Sequence, residues 1–188
     1  MYIFWDNSNI HYAGLNQVRP VFEPNVQMEL YRTYFAGLLK LVLNDRKLDG
    51  IYFAGSTPPK EDGLWAEIKK LGINPDLIPR SSTEGEANTT DHVLQNHILR
   101  LGYDVKEPGI IALLTGDGAG MKKGIGFLAD AKRLADSGWK FEVYSWDAVC
   151  HPDLKTFGET NGKYVKLEDY YEYITFIKGK RQAKIFEI

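Results

Sequence analysis

The first nine residues constrain the fold more than any other stretch. Met1-Tyr2-Ile3-Phe4-Trp5 is an unbroken aliphatic and aromatic run that stops abruptly at Asp6-Asn7-Ser8-Asn9. A half-exposed strand would show a polar residue at every second position, so this run predicts a strand buried on both faces. Such strands lie in the middle of a parallel sheet with helices on each side, where ligands bind beyond the carboxyl ends of the strands. Asp6 and Asn9 stand at that end. A second run of the same kind, Ile110-Ile111-Ala112-Leu113-Leu114, also stops at a turn that carries an acid, Thr115-Gly116-Asp117-Gly118-Ala119-Gly120.

The segments between these runs read as alternating helices and strands. Ile10–Glu23 is mixed, with Pro20, and is expected to be a loop or a short helix plus loop. Val26, Leu30, Tyr34, Leu38, Leu41 and Val42 recur at helical spacing, which predicts a long helix from Asn25, its cap, to Asn44. Leu48–Ser56 is a strand that ends at Thr57-Pro58-Pro59, and Glu61–Leu71 is a helix stopped by Gly72. Ile73–Pro79 follows as an edge strand, because Pro75 cannot donate to a ladder. Arg80–Asn88 is polar loop, and a helix starts at Thr89 or Thr90, has Asp91 in its first turn and ends at Gly102. Gly126–Ser137 is helical and Lys140–Trp146 is a strand; beyond Asp147, Tyr164–Leu167 reads as a last strand and Glu168–Ile177 as a closing helix. Strands alternating with helices imply βαβ units and an α/β fold with a mostly parallel central sheet.

Composition places this fold in one domain. The chain has 188 residues, 44% hydrophobic and 26% charged, which is globular; residues 1–177 form a single domain and 178–188 a basic C-terminal tail. The net charge of −2 supplies no global attraction for a polyanion, so any nucleic-acid site is local. The single Cys150 forms no internal disulfide and no multi-cysteine zinc site, as in a reducing compartment. No basic leader precedes the apolar start, and no apolar run approaches the roughly 20 residues that span a bilayer. The expectation is a cytoplasmic protein with no membrane partner.

Three acids stand out. Asp6 and Asp117 end two central strands, and Asp91 opens an intervening helix, so the fold would gather them at one end of the sheet. Taken singly, each is an ordinary turn former or helix cap. Together they repel unless a cation neutralises them, and hard divalent ions such as Mg²⁺ or Mn²⁺ take oxygen ligands of this kind. Mg²⁺ needs only one or two protein carboxylates, and the remaining positions go to water and substrate phosphate.

These residues resemble the NYN domain, a branch of the PIN-like metal-dependent nucleases. Asp6-Asn7-Ser8-Asn9 after the first strand is similar to its D-x-x-N motif, Thr115-Gly116-Asp117 to its [ST]-G-D motif, and Thr90-Asp91-His92-Val93-Leu94 to its internal acid motif. Lys140-Phe141-Glu142-Val143-Tyr144 resembles the strand that follows, so the likeness spans Met1 to Trp146 in order. It implies a PIN-like three-layer sandwich and a Mg²⁺- or Mn²⁺-dependent nuclease whose substrate is RNA. Asp6, Asp91 and Asp117 would surround the metal, with Asn9 orienting Asp6 or the neighbouring loop and Thr115 belonging to the [ST]-G-D turn. Two family acids are replaced here, by Ala119 and His97, with Glu86 and Asp147 as candidate substitutes.

Other readings compete with this one. Loss of those two acids suits a catalytically impaired module that binds nucleic acid or protein. A haloacid-dehalogenase-type phosphatase requires an acid where Ser8 stands. The stretch Gly118–Gly126 lacks both the P-loop pattern and G-x-G-x-x-G, which disfavours mononucleotide and dinucleotide sites; its glycines with Lys122 and Lys123 suit a loop that approaches a phosphate. The four histidines read as structural or surface groups, with His11 and His151 lacking nearby partners and His97 the one to test. The tryptophans read as core, and the run Lys178–Lys184 as a solvated end or a phosphate-tracking patch.

Overall fold

The computed structural model describes residues 1–56, 64–78, 86–118 and 124–186, with the side chains at 56, 64, 65, 78 and 86–91 outside the description. β1 (Tyr2–Asp6) leads into α1 (Asn7–Ala13), which continues through a π-helical turn (Gly14–Val18) into α2 (Arg19–Phe22). β2 (Tyr31–Thr33), α3 (Phe35–Leu43), β3 (Gly50–Ser56), α4 (Leu64–Lys70) and β4 (Asp76–Ile78) follow. α5 (Glu86–Asp104) then leads to β5 (Ile110–Leu114), α6 (Phe127–Asp136) and β6 (Lys140–Ser145). The chain closes with α7 (Pro152–Asn161), β7 (Gly162–Lys166), α8 (Tyr171–Ile174) and β8 (Thr175–Ile177).

Six strands form one sheet in the order β4-β3-β1-β5-β6-β7, and every pairing in it is parallel. The chain winds outward from β1 to β4, recrosses, and winds outward again from β5 to β7. The direction of winding therefore reverses between β1 and β5, and the crevice beyond the carboxyl ends at such a reversal is where open α/β sheets bind ligands. The two apolar runs of the sequence are these two central strands. Ile3, Trp5, Ala112, Leu114 and Tyr144 point to one face, where they meet Leu38 and Val42 of α3 and Ile68 of α4. Phe4, Ala54, Leu113 and Val143 point to the other, against Leu94 and Ile98 of α5, Leu128 and Leu134 of α6 and Phe157 of α7. Ile3 and Trp5 are fully buried, and each such side chain stabilises the fold by roughly 2–3 kcal/mol. The architecture is α/β with helices on both faces.

Several expected elements differ. The helix predicted over Asn25–Asn44 begins only at Phe35, and Asn25 caps nothing; a 3₁₀ turn (Met28–Leu30) and β2 take its first half. Tyr31-Arg32-Thr33 pairs antiparallel with Thr175-Phe176-Ile177, so the strand buries Tyr31 and Thr33 and leaves Tyr34, a member of the helical pattern, exposed. The same pairing removes the end of the helix expected over Glu168–Ile177, of which a 3₁₀ turn (Leu167–Tyr170) and α8 remain. A partner distant in sequence overrides local periodicity in both places. Ile10–Phe22 is helical throughout, because Pro20 sits in the first turn of α2, where no N–H is required.

α5 starts at Glu86, so the expected polar loop gives its last residues to the helix, and residues 80–85 lie outside the described ones. It also runs past Gly102. A Cβ there would stand 3.0 Å from Leu134, so Gly102 permits close approach of α6 rather than ending α5. α7 was not foreseen, although Pro152 at its first position is a start signal. The last strand of the sheet is Gly162–Lys166 rather than Tyr164–Leu167.

The basic run 178–184 is attached to the domain. Arg181 donates to Glu23 at 2.7 Å and to Thr175 Oγ1 at 2.8 Å, Lys184 pairs with Glu172, and Phe186 stacks on Tyr173. No helix among the described residues is long and apolar enough to cross a membrane.

Candidate functional site

The site is built from the turns that leave β1 and β5. Asp6 is the last residue of β1 and also the cap of α1, its Oδ1 accepting the Asn9 N–H at 2.9 Å. Asp6 is buried, 6% exposed. Burial pushes its carboxyl up from the ordinary 3.8 to about 6; the Asn9 and Ser8 N–H groups oppose the rise and the negative charge of Asp117 adds to it. Asp6 and Asp117 are therefore close enough to repel.

Asn9 ties the two turns together. Its Oδ1 accepts the Gly116 N–H at 2.7 Å, joining the β1 turn to the β5 turn across the reversal point. Thr115, buried, accepts the Asp117 N–H on Oγ1 at 3.2 Å and so bends the chain just before the acid. Gly116 is required by proximity, since a Cβ there would lie 3.0 Å from Asn9 Oδ1 and 3.2 Å from Ser145 Oγ. Among the described residues, Ser145 Oγ and Asn7 Oδ1 are buried near these turns without a hydrogen-bond partner.

Other candidates are placed differently. The backbone of Asp91 lies in the first turns of α5, while its side chain and that of Glu86 lie outside the described residues. Ala119, Lys122 and Lys123 lie outside them altogether. Asp147 does not join the site. Lys155 at 2.8 Å, Lys166 at 3.0 Å and Tyr164 at 3.0 Å neutralise it, and the Lys155 bond, the largest influence, helps hold its carboxyl at about 2.

His97 bonds Asp76 at 2.9 Å and lies on the Tyr52 ring at 4.6 Å. Asp76 is in register with Ala54, which is in register with Asp6, so the His97–Asp76 pair stands two strands, about 10 Å, across the sheet from Asp6.

Two histidines have partners that the sequence did not reveal. His11 bonds Thr33 at 3.0 Å. His151 caps α7, its Nδ1 accepting the Asp153 N–H at 3.1 Å, and its own N–H donates to Gly116 O at 2.9 Å. His151 therefore touches the β5 turn. Histidine is an uncommon cap, so only the following Pro152-Asp153 signalled a helix start there.

Carboxylate oxygens are the donors that hard cations take. Among the described residues, no three His, Cys, Asp or Glu side chains converge as a metal-holding group, which leaves Asp6 and Asp117 as the described oxygen donors. Asp6 is a carboxylate that burial makes costly as an anion and for which, among the described residues, no basic side chain is among the causes of its shift; a dication would compensate it. A separate cleft of about 200 Å³ lies beside Phe22, Glu23, Glu168, Tyr171 and Glu172. Three of the acids that line it are committed, Glu23 to Arg181 and Tyr171, Glu168 to the Asp147 and Ala148 N–H groups and Glu172 to Lys184, and the fourth, Asp169, is exposed.

Comparison with models of protein families and with curated proteins finds no match for this chain.

Proposed function

We propose that the protein is a metal-dependent nuclease of the NYN, PIN-like type, with Asp6, Asp117 and Asp91 around Mg²⁺ or Mn²⁺ and RNA as substrate. The observation that carries the reading is the pairing of two acids at the reversal point of the sheet, with Asp6 raised to about 6 by burial and by Asp117. A carboxylate in that condition gains from a cation, and a structural carboxylate is normally given one by the protein itself. The bound metal would polarise the scissile phosphate and lower the pKa of a coordinated water.

The chain's own residues prepare that chemistry. The Asn9 N–H holds Asp6 Oδ1 at 2.9 Å and fixes the orientation of the carboxylate. Asn9 Oδ1 fixes the Gly116 N–H and with it the backbone leading to Asp117. Thr115 holds the Asp117 N–H, so both acids are positioned before anything binds. Preorganised carboxylates avoid reorganisation at the moment charge develops on the phosphate. A second reading, a module that binds without cutting, draws on His97, which is committed to Asp76 and Tyr52.

The test is cleavage of labelled single-stranded RNA with Mn²⁺, Mg²⁺ or EDTA, beside Asp6→Asn and Asp117→Asn. Metal-dependent cutting by the parent and its loss in both variants is expected. Folded parent protein that cuts with neither metal overturns the nuclease reading in favour of the binding module.

A further inference from the structure

We propose that His151 is a substrate-contacting residue of this site, its Nε2–H donating to a phosphate oxygen of the bound nucleic-acid strand. The inference deepens the nuclease reading and rests on it for the identity of the ligand.

The position of His151 is set from both sides of Asp117. On one side its backbone N–H donates to Gly116 O at 2.9 Å. On the other its ring abuts Gly118, where a Cβ would lie 2.9 Å from Nδ1 and 3.0 Å from Cβ and Cγ. Gly118 thus leaves room for an imidazole next to the acid, and any larger residue would displace it.

Its tautomer is set by the helix it caps. Nδ1 receives the Asp153 N–H at 3.1 Å, and an atom that accepts an N–H carries no proton of its own. The Asp153 carboxylate is 4.0 Å from Nδ1, too far to hold a proton there by a hydrogen bond. The neutral ring therefore carries its proton on Nε2, on the edge opposite Gly118. The side chain is 41% exposed, and among the described residues no partner meets Nε2. A directed donor left open on a residue packed against the turn that carries Asp117 is a suitable contact for a phosphate of the strand.

His151→Asn separates this role from capping, because asparagine is a strong N-cap and keeps an oxygen for the Asp153 N–H but has no donor at the Nε2 position. The experiment compares the parent and His151→Asn on a short labelled single-stranded RNA. It measures half-saturation by fluorescence anisotropy in EDTA and by single-turnover cleavage in Mn²⁺, with melting temperature as control. An RNA of the same sequence with neutral methylphosphonate linkages is run in parallel.

About tenfold weaker half-saturation at unchanged melting temperature is expected, as is a smaller penalty for methylphosphonates in the variant than in the parent. Equal half-saturation, or an undiminished methylphosphonate penalty, overturns the assignment while the nuclease reading stands on cutting by the parent. If the parent binds without cutting, the nuclease reading falls and the anisotropy arm decides His151. If the parent binds no RNA in either assay, both fall.

Discussion

Asp6 and Glu142 are carboxylates on strands of the same sheet, 6% and 8% exposed, yet the fold treats them in opposite ways. Glu142 is surrounded by donors: a bidentate Arg46 at 2.7 and 2.8 Å, the Tyr144 hydroxyl at 2.9 Å and Lys163 at 3.3 Å. Burial works to raise its carboxyl, but these partners outweigh burial and hold it below its ordinary value. Asp6 faces backbone N–H groups and another acid, and burial carries it up to about 6. An acid kept for structure is given its cation by the chain, whereas among the described residues none supplies one to Asp6. Asp147, near the same end of the sheet, belongs with Glu142, since Lys155 and Lys166 neutralise it.

The largest expected effect tests whether the distinction is functional. Asp6→Asn and Asp117→Asn should each reduce Mn²⁺-dependent RNA cleavage by at least about a hundredfold with the fold retained, read by single-turnover rates beside circular dichroism. Arg46→Met should instead cost stability, about 2–3 kcal/mol in urea unfolding, because it leaves Glu142 buried with only Lys163 and Tyr144. Its cleavage rate should stay near that of the parent, and a loss of rate at unchanged stability would erase the contrast.

The pH dependences should run in opposite directions. Asp6 is raised in the fold, so its contribution is fully present below the ordinary 3.8 and is lost as pH rises through about 6. Asp6→Asn should therefore be more stable than the parent by about 2 kcal/mol at pH 7, with the gap closing near pH 4. Mn²⁺ should raise the melting temperature of the parent at pH 7 and leave that of Asp6→Asn nearly unchanged. Glu142 is lowered, so its contribution is present above the ordinary 4.5 and is lost as pH falls through its folded value. A parent and Asp6→Asn with superimposable stability curves from pH 4 to 7 would show that Asp6 is not held as an unfavourable anion. The smallest effect belongs to Asp147→Asn, which should leave cleavage within about twofold of the parent.

The strands that carry this contrast were legible in the residues; the contrast itself was not. Two apolar runs that each stop at an acid were enough to place β1 and β5 in the centre of a parallel sheet, since only a strand covered on both faces dispenses with polar alternation. Asp6, Asn9, Thr115 and Asp117 were legible for the same reason: they are the first polar residues after those runs. Elements that depend on distant partners were not. Tyr31-Arg32-Thr33 has helical neighbours in sequence and becomes a strand because Thr175-Phe176-Ile177 lies beside it. Gly102 reads as a helix stop and serves as a seat for Leu134.

By itself, then, the sequence determined the α/β plan and the sheet end that carries Asp6 and Asp117, because alternation and its absence are local properties of a strand. Only the tertiary structure decided which acid keeps a neutralising partner. Lys155 and Lys166 reach Asp147, Arg46 reaches Glu142, and among the described residues no basic side chain contributes to the shift of Asp6. It likewise brought His151 beside Asp117. Charge compensation depends on distances of a few ångströms between residues far apart in the chain, and those distances exist only once the sheet has closed its register.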